Sequence, residues 1–163
     1  MTGTDPLARA VFAALVLACF AAFFVTQRLK HTPAAVQNFK LTPRFTPASA
    51  GEARLEGISF KLAHADEVTV TILDSSGDIV ATLVRDWPVA RYKQFSLRWN
   101  GRVGVAHGYT LVHIAGRSLH GGVTSVLPVN EGRIASAGEY RIRVSLRRQR
   151  LSRLSPRSFT LVR

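Results

Sequence analysis

The chain has 163 residues, 47% of them hydrophobic, and carries a formal charge of +12 at neutral pH. Removing its one long apolar segment leaves about 130 residues, the size of a single domain able to bury its own core. A lone cysteine, Cys19, excludes an intrachain disulfide and a cysteine-based zinc cage.

From Ala10 to Gln27 the sequence AVFAALVLACFAAFFVTQ holds no charged residue. At ~1.5 Å of helical rise per residue it matches a bilayer hydrocarbon core of ~30 Å. A cleavable signal peptide has a shorter apolar region followed by a small-x-small site, whereas this run continues through Phe20, Phe23, Phe24 and Val25. Val16-Leu17-Ala18-Cys19 has the outline of a lipoprotein box, but Leu17 fits its position poorly and apolar residues continue past the cysteine. The expectation is a tail and retained signal-anchor over residues 1–27, making a single-pass protein of the cell membrane. Ala10, Ala14, Ala18 and Ala22 fall on one helix stripe, which suits either self-association through the anchor or plain filler. Arg9 lies on one side of the segment and Arg28, Lys30, Lys40 and Arg44 on the other, so the positive-inside rule read literally puts the following domain in the cytoplasm.

Residues 28–37 read as a linker. Pro33, Pro43 and Pro47 forbid a continuous helix over Thr32 to Gly51, and a short first strand is expected near Phe39 to Phe45. Beyond it the period is two. Ile58, Phe60 and Leu62 alternate with polar residues, as do Val68, Val70 and Ile72, then Phe95, Leu97 and Trp99, then Tyr140, Ile142, Val144 and Leu146. One sheet face is apolar and the other is polar. Trp99 and Tyr140 lie on the apolar parity and are expected to anchor the core. Asp74-Ser75-Ser76-Gly77-Asp78 predicts a hairpin between Val68 to Leu73 and Ile79 to Val84; Asn100-Gly101 and Ser136-Ala137-Gly138 predict further turns. Many short antiparallel strands without helical periodicity indicate an all-β, immunoglobulin-like β-sandwich over residues 38–163, preceded by the single transmembrane helix.

The strands Ile58 to Leu62 and Val68 to Asp74, with Gly77, Leu83-Val84, Leu97-Arg98-Trp99-Asn100-Gly101-Arg102 and Ala137-Gly138-Glu139-Tyr140-Arg141-Ile142-Arg143-Val144, resemble the FlgD-type immunoglobulin-like domain. That domain forms the C-terminal part of the flagellar hook-capping protein and occurs as an accessory module in secreted bacterial proteins. The resemblance implies an extracytoplasmic β-sandwich of structural or protein-interaction type in the bacterial cell envelope, without a cofactor. Three departures mark this chain. It has an anchor in place of an N-terminal assembly segment. Its Phe45 to Gly51 loop lacks carboxylates for a hard cation. It also inserts residues 103–128 before the Gly-Glu-Tyr motif.

The insertion holds His107, His113 and His120, but no Asp, Glu or Cys that would complete a usual metal set. Ser118 before His120 and His64 beside Asp66 have no nucleophile elbow around them. Gly116 to Gly122 lacks the Gly-Lys-Ser/Thr ending of a phosphate-cradling loop. No catalytic, metal or cofactor residue and no small-molecule substrate is assigned, and the chain is not expected to be an enzyme. Candidate interaction residues are Tyr109, Leu111, His113, Ile114 and His120, from an insertion too apolar for a merely solvated loop. The same insertion also reads as an added hairpin covering a sheet edge. A second candidate is the basic face of Arg141, Arg143, Arg147, Arg148 and Arg150, open to lipid, wall polymer or nucleic acid, on a domain that in this reading faces the cytoplasm as an adaptor. The absence of aromatics between Arg141 and Arg157 counts against stacked nucleic-acid bases. The expected partners are the membrane, through the N-terminal helix, and an envelope protein of unknown identity.

Overall fold

A computed structural model of the chain describes residues 6–30, 33–114 and 123–163. They fall into two compact units, Met1–Ala34 and Ala35–Arg163.

The first unit is one helix, α1 (Pro6–Lys30). Proline at its first position has a preset φ and no N–H to leave unsatisfied. Within it Pro6–Arg28 has a mean hydropathy of 2.3, so the helix is long and apolar enough to cross a membrane. The hydroxyl of Thr26 donates to the backbone oxygens of Ala22 at 3.0 Å and Phe23 at 2.8 Å, which removes the cost of an unpaired polar group on an apolar helix. The helix extends to Lys30 and the first strand begins at Val36, so the connection is shorter than the 28–37 linker read from the sequence.

Among the described residues the second unit contains twelve strands. They are β1 (Val36–Leu41), β2 (Arg44–Phe45), β3 (Glu56–Leu62), β4 (Asp66–Leu73), β5 (Ile79–Val89), β6 (Gln94–Trp99), β7 (Gly104–Val105), β8 (Gly108–Ile114), β9 (Val123–Val129), β10 (Gly138–Leu146), β11 (Leu151–Leu154) and β12 (Phe159–Leu161). One sheet runs β1-β3-β6-β9-β8; the other runs β2-β12-β10-β4-β5-β7, with β11 also on β10. The same edge of β10 is shared, its start pairing with β12 and its end with β11.

The hairpin expected around Asp74 to Asp78 forms, with Leu73 opposite Ile79 and Ile72 opposite Ala81. The Asp74 carboxylate accepts the N–H groups of Ser76 and Asp78, closing the turn. Two expectations are corrected. Phe39 to Phe45 is not one strand: β1 pairs with β3 in the first sheet, and β2 pairs with β12 in the second. The break falls at Thr42-Pro43, because proline cannot continue the ladder as a donor. The sheets are also mixed and not wholly antiparallel, since β2 and β12, β5 and β7, and β6 and β9 are parallel pairs. In each pair one strand is reached after the chain has crossed between sheets, so no tight hairpin sets its direction.

Alternating residues of both sheets form one core. Ile58, Phe60, Leu62, Leu97 and Trp99 come from the first sheet, and Val70, Ile72, Leu83, Ile142, Val144 and Leu161 from the second. At one end Trp99 meets Phe45, Tyr140 and Phe159 with ring centroids 5.5, 5.8 and 6.0 Å away, joining the layers. Its indole N–H donates to the Arg102 carbonyl at 2.8 Å across the Asn100-Gly101 turn. Gly101 has a φ of 80° there, and a Cβ on it would stand 2.8 Å from the Pro47 ring.

Candidate functional site

Of the sequence-predicted interaction residues, Tyr109, Leu111, His113 and Ile114 lie on β8, which among the described residues is an edge of the five-stranded sheet. The chain leaves β6, adds β7 beside β5 and returns to the first sheet, where β8 and β9 form an antiparallel hairpin joined to β6 through Leu97 and Val126. Asn130 holds this return in place, its side-chain amide donating to the Gly104 carbonyl at 2.7 Å. Ser125 on β9 is buried, and its hydroxyl pairs with that of Ser96 at 2.8 Å. The insertion is therefore partly core. Val126 is buried over Leu97, and β9 covers the edge that β6 would otherwise expose.

On β8 the register sets Tyr109, Leu111 and position 113 on one face, opposite Pro128, Val126 and Thr124. Tyr109 packs edge-on against Trp87 of β5 at 5.0 Å, and Trp87 in turn lies 6.2 Å from Phe95. Beyond that contact the core-facing side is open: Tyr109 is 42% exposed and Leu111 67%. His113 and Ile114 are placed by strand register, whereas His120 lies outside the described residues. His107 precedes β8, its backbone N–H donating to Val129.

The basic candidates divide. Arg141 and Arg143 project from β10 on the face opposite Ile142 and Val144, as the alternation requires. Arg147 and Arg148 occupy the β10–β11 turn and are matched by acids: Arg147 meets Glu67 at 3.0 Å and Asp86 at 3.6 Å, and Arg148 meets Glu67 at 3.4 Å. Arg150 closes that turn with a φ of 49°. The five arginines thus do not present one uninterrupted cationic face.

Asp66 organises this corner. Its Oδ1 accepts the N–H groups of Glu67 and Arg148, and its Oδ2 accepts the backbone and side-chain N–H groups of Gln149. Burial acts to raise its pKa, but these hydrogen bonds outweigh burial and hold the carboxyl below its ordinary value. Burial and the charge of Asp74 push the Tyr140 phenol up, and it donates to the Ser136 carbonyl at 2.6 Å.

Sequence reasoning passed over Glu56, which is fully buried. Its signal was parity, since Glu56 falls on the same face of β3 as Ile58, Phe60 and Leu62. On the outer side of that sheet a polar groove is lined by Lys40, Thr42, Ser59, Ser96, Arg98 and Ser125. Its serine pair has no carboxylate or imidazole among the lining residues to take up a proton. Among the described residues no group of three or more His, Cys, Asp or Glu side chains is placed to hold a metal ion.

No protein-family model matches the chain. No curated protein matches it either.

Proposed function

We propose that this chain is a single-pass membrane protein that displays a FlgD-type, immunoglobulin-like β-sandwich on the extracytoplasmic side as a non-enzymatic interaction module of the cell envelope. The observation that carries the reading is α1: its apolar side chains are exposed around the whole helix, with Phe12 at 70% and Leu17 at 69%. A helix hydrophobic on all sides and unburied in its own protein has a bilayer as its natural solvent. The immunoglobulin-like part of the reading is supported by the two sheets around Trp99 and by the Tyr140 hydroxyl reaching back to Ser136, in the manner of a tyrosine corner. The interaction role is supported by the apolar edge strand β8.

One specific observation favours a second reading, a cytoplasm-facing basic adaptor. Arg28, Lys30, Lys40 and Arg44 follow the apolar segment against Arg9 before it. The difference is a few charges around one short segment, and the family resemblance outweighs it. A reporter active only outside the cytoplasm, fused after Arg163, is expected to work in membrane fractions. Activity of a cytoplasm-only reporter at that site would instead establish the adaptor topology.

A further inference from the structure

We propose that β8 is the edge through which two copies of this chain pair, strand to strand about a two-fold axis at Leu111. This rests on the interaction reading above and names its partner.

Among the described residues the other sheet edges are protected, and this one is not. An unpaired strand edge offers a row of free backbone donors and acceptors, and proteins blunt such edges with short strands, charges, proline or bulges. On the far edge of the same sheet, β1 carries Lys40, a register break between Gln37 and Lys40, and Asn38 with a φ of 50°. In the other sheet β2 and β7 have two residues each, and β11 has four, including Arg153. By contrast β8 has seven residues, GYTLVHI, in unbroken register with β9 from Gly108 opposite Val129 to Ile114 opposite Val123. It has no charged residue and no proline, and among the described residues no strand lies on its outer side.

The charge pattern selects the occupant. In a chain of formal charge +12, copies repel one another over most of their surface. An acidic partner finds no countercharge on β8, whereas a second β8 meets no like charge there. An antiparallel pair about Leu111 sets Leu111 opposite its own copy, position 109 opposite 113 and 110 opposite 112. All Tyr109 and Leu111 side chains then stay on one face, and the exposed leucine gains an apolar neighbour. A slip of one residue would turn one copy's apolar set to the other face. Closed two-fold pairing joins the two sheets into one and consumes both open edges.

The test uses the full chain in detergent micelles with Cys19→Ser. Residues directly opposed in an antiparallel pair have Cα atoms ~4.5–5.5 Å apart, within reach of a disulfide. Leu111→Cys is expected to give a covalent dimer on mild oxidation, well above Ile79→Cys, a comparably exposed site off this edge. Leu111→Lys, which opposes two charges, is expected to shift the particle to monomer mass in sedimentation while its circular dichroism remains that of the folded sheet. Equal crosslinking at positions 111 and 79, or a dimer that persists with Leu111→Lys, overturns the proposal; the latter would place self-association in α1. Crosslinking of Leu111→Cys to a different protein in native membranes would also overturn it, while leaving the interaction reading standing.

Discussion

The carboxyl group of Glu56 accepts the backbone N–H of Thr42 at 2.9 Å, and its second oxygen, also buried, meets no hydrogen-bonding partner. This contact sits where the chain leaves β1 for β2, so the acid stabilises the sheet switch. Burial pushes its pKa up to about 8, against the lowering effects of the Thr42 hydrogen bond and the Arg98 charge. At neutral pH the group is therefore mostly protonated, and ionisation comes at the expense of the fold. A carboxyl whose folded pKa exceeds the ordinary 4.5 contributes stability that is complete below that value and declines as pH rises toward 8.

Glu56→Gln retains an acceptor for Thr42 and cannot ionise. Its melting temperature is expected to exceed that of the parent at pH 8 and above, and the parent's decline between the ordinary value of 4.5 and about 8 should flatten. Thermal melts followed by circular dichroism across that range check this. A variant that melts lower at pH 8 would mean that an ionised Glu56 is stabilised by Arg98.

Asp66 has the opposite sign. Its folded pKa is held below the ordinary 3.8, so its contribution is complete above that value and is lost as pH falls through the folded pKa. Asp66→Ala removes the acceptor of the Glu67, Arg148 and Gln149 N–H groups and should cost about 1 kcal/mol in denaturant titrations at neutral pH. The parent is expected to lose stability as pH falls through the folded pKa of Asp66, and this loss should become shallower in the variant. An unchanged acid limb would remove Asp66 as its source.

Trp99→Ala removes the largest fully buried side chain and opens a void between Phe45, Tyr140 and Phe159. The expected cost is ~3–5 kcal/mol by chemical denaturation, a large share of a single domain's stability. A loss below about 1 kcal/mol would mean that the neighbouring rings close the space.

Replacing residues 103–128 by a short Gly/Ser turn strips β9 from β6, where Val126 pairs with Leu97. The product is expected to melt lower and to aggregate, measured by light scattering during heating. An unchanged melting temperature would show that the hairpin is an appendage. The sequence left recognition and edge cover as alternatives; in the structure β9 pairs with β6, and β8 ends the sheet among the described residues.

Strand parity was the legible part of this chain. Period two correctly placed Ile58, Phe60, Leu97, Trp99, Tyr140 and Ile142 in the interior, because a pleated backbone alternates its side chains whatever the topology. Turn chemistry likewise located the β4–β5 hairpin. Pairing between distant segments was not legible: nothing local in Arg44-Phe45 announces Thr160-Leu161 as its partner, and β6 gives no sign of running parallel to β9. The acidic neighbours of the basic candidates were not legible either, since Glu67 and Asp86, far away in sequence, approach Arg147 only through the fold.

The parallel pairing of β2 with β12 has a mechanical consequence. β2 lies near the N-terminal end of the domain and β12 ends two residues before Arg163, so tension between the N-terminal and C-terminal ends of the domain draws two neighbouring parallel strands in opposite directions along their length. β1, antiparallel on β3, can be peeled away one bond at a time. The bonds from Thr160 N–H to the Pro43 carbonyl and from Val162 N–H to the Phe45 carbonyl, each 3.0 Å, lie across the pull and must yield together in shear. The short strand that seals the sandwich is thus also the clasp that sets its resistance to being drawn apart.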